Sequence, residues 1–362
     1  MRRLIARGAL VSTAVLLTAC GQPALSAPAS SASGTPAVSV HAPRLHDTDF
    51  QAGAMVLVYG NDPEFAAKSA TLLDHLARLG VNSVGFVFPI FQRGPTATNV
   101  YPDKVSTPTD ANVTAFLKAA HRRGLTVMMR PLLDEKSAAL SGHWRGNINP
   151  PNRAAWWQSY DGIVLRYARL AQAGGASIFD VGTEMTTMEA DTAQWATLIA
   201  AVHGVFAGQI TYSTNWDRPL PAFGRSLSFL SVDAWFPLAV PKGADPIPTL
   251  INAWKPWLVG LEQQRATIGR PLVFTELGLA SQQGALERPW AHLPNLPQDL
   301  QSQRQYYAAT CQAVKGAVAG MYWWDFELTP PAPGNTGFPP AGKPAEDEIG
   351  RCYAQLPVAN AN

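Results

Sequence analysis

Short runs of β-branched and apolar residues alternate along the chain with longer segments whose apolar positions recur at helical spacing. Eight such runs can be read: Met55–Tyr59, Ser83–Phe88, Thr126–Arg130, Ser177–Gly182, Gln209–Ser213, Phe229–Val232, Leu272–Thr275 and Val318–Trp323. Between them the spacing predicts helices over Pro63–Leu79, Thr109–Arg123, Arg153–Ala173, Thr192–Val205 and Leu300–Ala317. Asp62 ahead of Pro63 reads as an N-cap with proline at the first helical position. Gly80 and Gly124 follow the first two helices as terminators.

Repeated strand–helix units build a parallel sheet, and eight of them close most naturally into a single (β/α)8 TIM barrel of the α/β class. The competing doubly wound open sheet usually carries a glycine-rich phosphate loop after its first strand. Gly60-Asn61-Asp62 is not such a loop. In a barrel the chemistry sits where strands end, so the residues that follow each run carry the functional reading. They are Phe91-Gln92 after the second, Arg130 and Asp134-Glu135 after the third, and Thr183-Glu184 after the fourth. Asn215-Trp216-Asp217 follows the fifth, Asp233-Ala234-Trp235-Phe236 the sixth, Glu276 the seventh and Trp323-Trp324-Asp325 the eighth. So many polar and aromatic clusters at one topological level describe a lined cleft.

The N-terminus changes the picture of where this domain works. Met1-Arg2-Arg3, an apolar stretch from Gly8 to Leu17, and Leu17-Thr18-Ala19-Cys20-Gly21 read as an export signal over residues 1–20. The apolar stretch is shorter than the roughly 20 residues needed to span a bilayer. Its end resembles the lipobox of bacterial lipoproteins, in which Cys20 is acylated; an ordinary signal peptide cut elsewhere is the alternative. Residues 21–46, rich in Ala, Pro and Ser, read as a disordered tether, residues 47–356 as one catalytic domain, and 357–362 as a C-terminal tail. The expected location is extracytoplasmic, lipid-anchored to the cell membrane. In a Gram-negative cell the outer membrane is favoured, because Gly21 is not the Asp that would retain the protein at the inner one.

A formal net charge of +2 with scattered Lys and Arg leaves no basic footprint for nucleic acid, and a monomer acting on an uncharged partner is expected. Of the three cysteines, Cys311 and Cys352 remain as an even pair for an oxidising compartment. They are expected to join the C-terminal tail to the last barrel helix; two free buried thiols are the alternative. No His or Cys cluster has metal-ligand spacing and no phosphate loop appears, so neither metal nor cofactor is expected.

Glu184 and Glu276 stand at the tips of buried strands four and seven, whose ends approach one another across a barrel mouth. Glycoside hydrolysis needs a protonated acid at the leaving oxygen and a carboxylate at the anomeric carbon. Partial burial and mutual repulsion can keep one protonated while the other is ionised. Glu184 is read as acid/base and Glu276 as nucleophile; an ion-paired strand-end acid is the alternative for either alone.

The chain resembles glycoside hydrolase family 113, through Phe88-Pro89-Ile90-Phe91-Gln92, Met129-Arg130-Pro131-Leu132-Leu133-Asp134, Trp144-Arg145-Gly146 with Ile148, and Trp156-Trp157 with Tyr160. The similarity continues in Gly182-Thr183-Glu184, Thr211-Tyr212-Ser213-Thr214-Asn215-Trp216-Asp217, Asp233-Ala234-Trp235-Phe236-Pro237-Leu238, Thr275-Glu276-Leu277-Gly278 and Gly320-Met321-Tyr322-Trp323-Trp324. The resemblance implies a retaining endo-β-1,4-mannanase without a metal. Two departures stand out. Arg130-Pro131-Leu132 replaces a Lys-Pro-His that members tend to carry, and Trp235-Phe236 stands where tyrosines are usual, one of which commonly hydrogen-bonds the nucleophile.

Around the two acids, Gln92, Arg130, Asp134, Trp144, Asn215, Trp216, Asp217, Asp233, Trp235, Trp323 and Trp324 are expected to bind substrate. The tryptophans can stack on sugar faces or pack in the core, and the side chains of Trp323 and Trp324 should diverge. Arg130 can hold the nucleophile ionised or pair with Asp134. Asn215 and Asp217 can meet hydroxyls or shape a turn, and His143 can line a subsite or be solvated. Other β-glycans, such as glucan, xylan or an exopolysaccharide, are open as substrates. A non-catalytic carbohydrate-binding lipoprotein is the reading from a different class.

Overall fold

The computed structural model describes residues 50–135 and 144–356. Its strands are β1 (Gln51–Leu57), β2 (Ser83–Gln92), β3 (Thr126–Glu135), β4 (Ile178–Thr183), β5 (Gln209–Asn215), β6 (Leu230–Asp233), β7 (Leu272–Leu277) and β8 (Gly320–Glu327). They close in sequence order into one parallel barrel, β8 pairing back onto β1. The described helices are α1 (Phe65–Arg78), α2 (Asp110–His121), α3 (Arg153–Gly174), α4 (Thr192–His203), α5 (Pro246–Ile268), α6 (Leu300–Val314) and α7 (Pro344–Ala354). The (β/α)8 expectation is met over the described residues. The expected signal, tether, lipidated Cys20, C-terminal tail and His143 all lie outside them.

Strand parity builds two apolar layers from one sequence pattern. Successive side chains of a strand point to opposite faces, so Met128 and Leu132 of β3 join the barrel interior with Met55, Val87, Ile178, Phe229, Val273 and Tyr322. Val127, Met129 and Leu133 of the same strand pack outward under the helices. Strands covered on both faces read as continuous apolar runs, and all ten residues of β2 are buried. Helix α1 supplies the matching stripe, burying Phe65, Ser69, Leu73 and Leu76 at helical spacing.

Element ends correct some sequence boundaries. Strands β2 and β3 run on past their apolar cores to Gln92 and Glu135, because the barrel ladder continues between them. Helix α1 starts at Phe65 rather than at Pro63; the Asp62 carboxylate accepts from the Glu64 N–H at 2.7 Å and pairs with Lys68, shaping the turn before the helix. Gly80 does end that helix, with φ of 82° and the Val81 N–H returning to the Leu76 carbonyl. Helix α5 goes beyond the periodicity, since Pro256 interrupts its interior; the burial of Leu250, Trp254 and Leu261 holds it together.

Cys311 and Cys352 form a disulfide. It ties α6 to α7, so the second cysteine belongs to the last helix of the barrel and not to a tail beyond it. The cross-link closes a loop with a sequence separation of 41. The double variant Cys311→Ser, Cys352→Ser is expected to lose about 2–4 kcal/mol in reversible urea unfolding. An unchanged midpoint would show that the unfolded chain gains no freedom from losing the bond.

Candidate active site

At the C-terminal mouth of the barrel, Glu184 directly follows β4 and Glu276 lies within β7. Glu184 has a φ of 51°, in the left-handed region that side chains rarely occupy. Its backbone is held there from both sides: the Glu184 N–H donates to the Ser213 carbonyl at 2.8 Å, and the next amide, Met185, donates to the Tyr212 hydroxyl at 2.9 Å. Glu276 is aimed by a register shift between β6 and β7, which pairs Val232 with Phe274 but Asp233 with Glu276. A bulge of this kind re-aims side chains beside functional sites. Here it brings both Thr275 and Glu276 toward the barrel axis, where Thr275 Oγ1 donates to Asp233 at 2.8 Å.

Beneath the two glutamates lies a fully buried cation. Arg130 of β3 donates through Nη1 to Glu276 Oε1 at 2.7 Å and through Nη2 to Ser213 Oγ, and its Nε lies 2.8 Å from Asp180 Oδ2. Asp233 approaches Nη2 at 3.5 Å. A second guanidinium enters from the loop after β3: Arg145 donates to Glu184 Oε2 and to Asp134 Oδ1, both at 2.8 Å, and to the Leu133 carbonyl at 3.1 Å. Trp235 completes the set by donating its indole Nε1–H to Glu276 Oε2 at 3.1 Å.

These contacts decide where charge resides. Asp134, Asp180, Glu184, Asp233 and Glu276 surround two guanidinium groups, so carboxyls outnumber the cations that face them. Burial pushes Glu184 up to about 7, with Asp233 adding to the rise and Arg145 opposing it. Burial likewise holds Glu276 above the ordinary carboxylate range, helped by Asp233 and opposed by Arg130. Asp180 is raised to about 6, mainly by burial. The cluster therefore keeps at least one proton near neutrality. The two glutamates differ in their hydrogen bonding: both Glu276 oxygens accept from N–H donors, which favours its anion, whereas Glu184 accepts only from Arg145 among the described residues.

Above the acids a cavity of about 580 Å³ is lined by Trp144, Arg145, Glu184, Asn215, Trp216, Asp217, Trp235, Glu276, Trp290, Trp324 and Phe338. Carboxyls over a buried base of charge, under aromatic walls, suit a neutral ligand rich in hydroxyl groups. The profile of Glycoside Hydrolase Family 113 matches residues 59–338. The chain belongs to this family. The search of curated proteins found no match. Among solved structures, the family 113 β-mannanase AaManA from Alicyclobacillus acidocaldarius superposes with a TM-score of 0.75 at 25% identity, over 84% of this chain and 97% of that one. Another structure described as a family 113 β-1,4-mannanase gives 0.75 at 23% identity, over 85% and 99%. A family 5 mannosidase from Rhizomucor miehei shares the fold more distantly, with a TM-score of 0.55 at 12% identity over 84% and 92%.

In this family 113 glycoside hydrolase, Trp144, Asn215, Trp216, Asp217, Trp235 and Trp324 reach the cavity as expected from the sequence. Gln92 does not. It follows the outward parity of Val84, Phe86, Phe88 and Ile90, and its amide accepts from Trp156 Nε1 of α3 and donates to the Gly94 carbonyl. Trp323 is also turned outward and fully buried, stacked on Tyr307 of α6 at 4.2 Å. Arg130, Asp134 and Asp233 are not part of the lining: Arg130 and Asp134 bond to the lining residues Glu276 and Arg145, whereas Asp233 bonds to Arg130 and Thr275 beneath them. Of the two sequence readings for Arg130, the pairing with Asp134 is replaced, since Asp134 pairs with Arg145.

The departures from the family pattern find their places as well. Leu132 fills the barrel interior, and Phe236 is buried against Trp254 and Trp257. Sequence reasoning did not single out Arg145, Trp290 or Phe338 as site residues. Arg145 stood in the open within Trp144-Arg145-Gly146, a charged residue in a catalytic-face loop. The glycine leaves room for the indole: a Cβ on Gly146 would lie 2.4 Å from the Trp144 ring, which would have to shift. Trp290 and Phe338 come from long loops after β7 and β8, where no periodicity locates a side chain.

Proposed function

We propose that this enzyme is a retaining endo-β-1,4-mannanase acting by double displacement, with Glu276 as nucleophile and Glu184 as acid/base. The reading is carried by the unequal dress of the two equally buried acids: Glu276 receives N–H donors on both oxygens, while Glu184 is bound by one among the described residues. In the first step a Glu276 oxygen bonds to the anomeric carbon as the glycosidic bond breaks, and Glu184 gives its proton to the departing oxygen. In the second, Glu184 takes a proton from water, whose oxygen displaces Glu276 and releases the sugar with its original configuration. Mannan is favoured over other β-glycans because the family 113 structures with the same fold are described as β-mannanases. The aromatic walls formed by Trp144, Trp216, Trp290 and Trp324 offer flat apolar faces to successive pyranose rings.

The test is hydrolysis of mannan, glucomannan, xylan and β-glucan by the domain from residue 47 onward, read as new reducing ends and as the anomer first formed. Internal cleavage of mannan with β-anomer release supports the reading. Cleavage confined to xylan or β-glucan transfers the mechanism to another sugar, and binding without cleavage by the unmutated protein returns it to the carbohydrate-binding class. We further propose that the enzyme works outside the cytoplasm on a lipid at Cys20, a reading that the Cys311–Cys352 disulfide supports. Loss of palmitate labelling in Cys20→Ala is the expected outcome.

Arg145 gives the reading a pH signature. Glu184 must carry a proton to act as acid, so kcat/KM falls as pH rises through its value of about 7. Arg145 lowers that value by charge and hydrogen bonding. Arg145→Gln removes the opposition, so the basic limb of the kcat/KM profile is expected to move alkaline by about one pH unit or more. A limb that stays in place, or moves acid, would detach Arg145 from the protonation of Glu184.

A further inference from the structure

A second cavity, of about 450 Å³, opens beside the catalytic cleft and shares two of its lining residues, Trp216 and Asp217. Its size falls within the roughly 300–1,000 Å³ of ordinary ligand sites. The loop after β5 forms one bank, with Arg218 and Pro219, and the middle of α5 forms the other, with Pro256, Trp257 and Gln264. Trp216 stands between the two cavities. On the cleft side its ring is stacked with Trp290, centroids 5.2 Å apart; on the other side Trp257 meets it at 89° and 6.0 Å. Trp257 is itself backed by the buried Phe236, stacked at 4.8 Å, which holds the indole as a rigid, half-buried platform along the groove.

We propose that this groove is a distal glycan-binding site that holds the continuation of the same polysaccharide strand whose cleavage point lies in the catalytic cleft. The inference rests on the glycan-hydrolase reading above and deepens it. Adjacency through Trp216 and Asp217 names the occupant, since a strand leaving the cleft past Trp216 next meets the groove that the same two residues line. The lining names the chemistry. Trp257 offers an apolar face for a pyranose ring, and Asp217 and Arg218 place one acceptor group and one donor group, of opposite charge, on the exposed bank. With those charges cancelling, the groove suits an uncharged chain of hexoses over an anionic polymer.

Gly260 provides a test that leaves Trp257 and its packing intact. It lines the groove on α5, and a Cβ added there meets nothing within 4 Å, so a longer side chain extends into the groove without disturbing the helix. Binding is read by calorimetry in the Glu276→Gln background, with ladders of β-1,4-manno-oligosaccharides and β-1,4-gluco-oligosaccharides of increasing length. For at least one ladder, affinity is expected to rise about tenfold once the oligosaccharide outgrows the cleft. Adding Gly260→Gln is expected to remove that rise and leave short oligosaccharides bound as before. A rise that survives Gly260→Gln, or no rise with length in either ladder, overturns the proposal. Cleavage by the unmutated enzyme is scored separately: failure to cut either polymer, with the groove-dependent rise intact, counts against the hydrolytic reading and not against the groove.

Discussion

Replacing Glu276 by Gln is expected to lower kcat on the cleaved polymer by about 10⁴-fold or more, with little change in binding, because it removes the group that the double-displacement proposal makes the nucleophile. The amide keeps the side-chain shape and can still accept from Arg130, so the fold and the cleft should survive. Glu184 is the comparison that gives the result its meaning. Glu184→Gln removes proton transfer alone, worth about 10²–10⁴-fold on the polymer. Read in kcat/KM, which reports the first step, that loss should shrink on an aryl glycoside whose leaving group departs without a proton. Glu276→Gln should show no such relief, since a good leaving group needs the incoming carboxylate at the anomeric carbon as much as a poor one does. Relief in Glu276→Gln alone would exchange the two roles, and equal relief in both would dissolve them.

The second large effect is on stability. Arg130→Met is expected to cost about 3–5 kcal/mol at neutral pH, because it strips the buried cation from Asp180, Asp233 and Glu276 while filling most of the same volume. The sign of its pH dependence follows from the carboxyls left behind. Burial already raises Asp180 to about 6 and holds Asp233 and Glu276 high, with Arg130 opposing each rise. Without Arg130 their folded-state values climb further, while the unfolded values stay near 4. A group whose folded value is raised binds more protons in the native state over that window, so it favours folding at low pH and loses that contribution as pH rises. The deficit of Arg130→Met relative to the unmutated enzyme should therefore shrink between pH 7.5 and pH 5 in urea titrations. A deficit that stays constant across that range would mean the three carboxyls do not depend on Arg130 for their charge.

Much of this site could be read from residue order, and the errors share a cause. Gln92 and Asp134 both follow apolar runs as polar residues, yet Asp134 has the parity of Arg130 and turns to the barrel axis while Gln92 has the parity of Phe88 and Ile90 and turns to the helices. The same alternation separates Trp324, in the cleft, from Trp323, under α6. Parity was available in the sequence, but only to a reader who knew that β2 continues to Gln92 and β8 past Trp323. Those extents are set by pairing with neighbouring strands rather than by the strands' own residues.

By itself the sequence determined the alternation of eight strands and their helices, the apolar layers on both sides of each strand, and the presence of two glutamates at the ends of runs four and seven. These follow from local spacing, since period two and period 3.6 are properties of a single segment. Only the tertiary structure decided that Arg130 and Trp235 grip Glu276 while Arg145 grips Glu184, and that Trp216 divides two cavities. Those partners lie far apart along the chain, 146 residues in the case of Arg130 and Glu276. They meet because the barrel closes and its register shifts, a global packing outcome that no local spacing encodes.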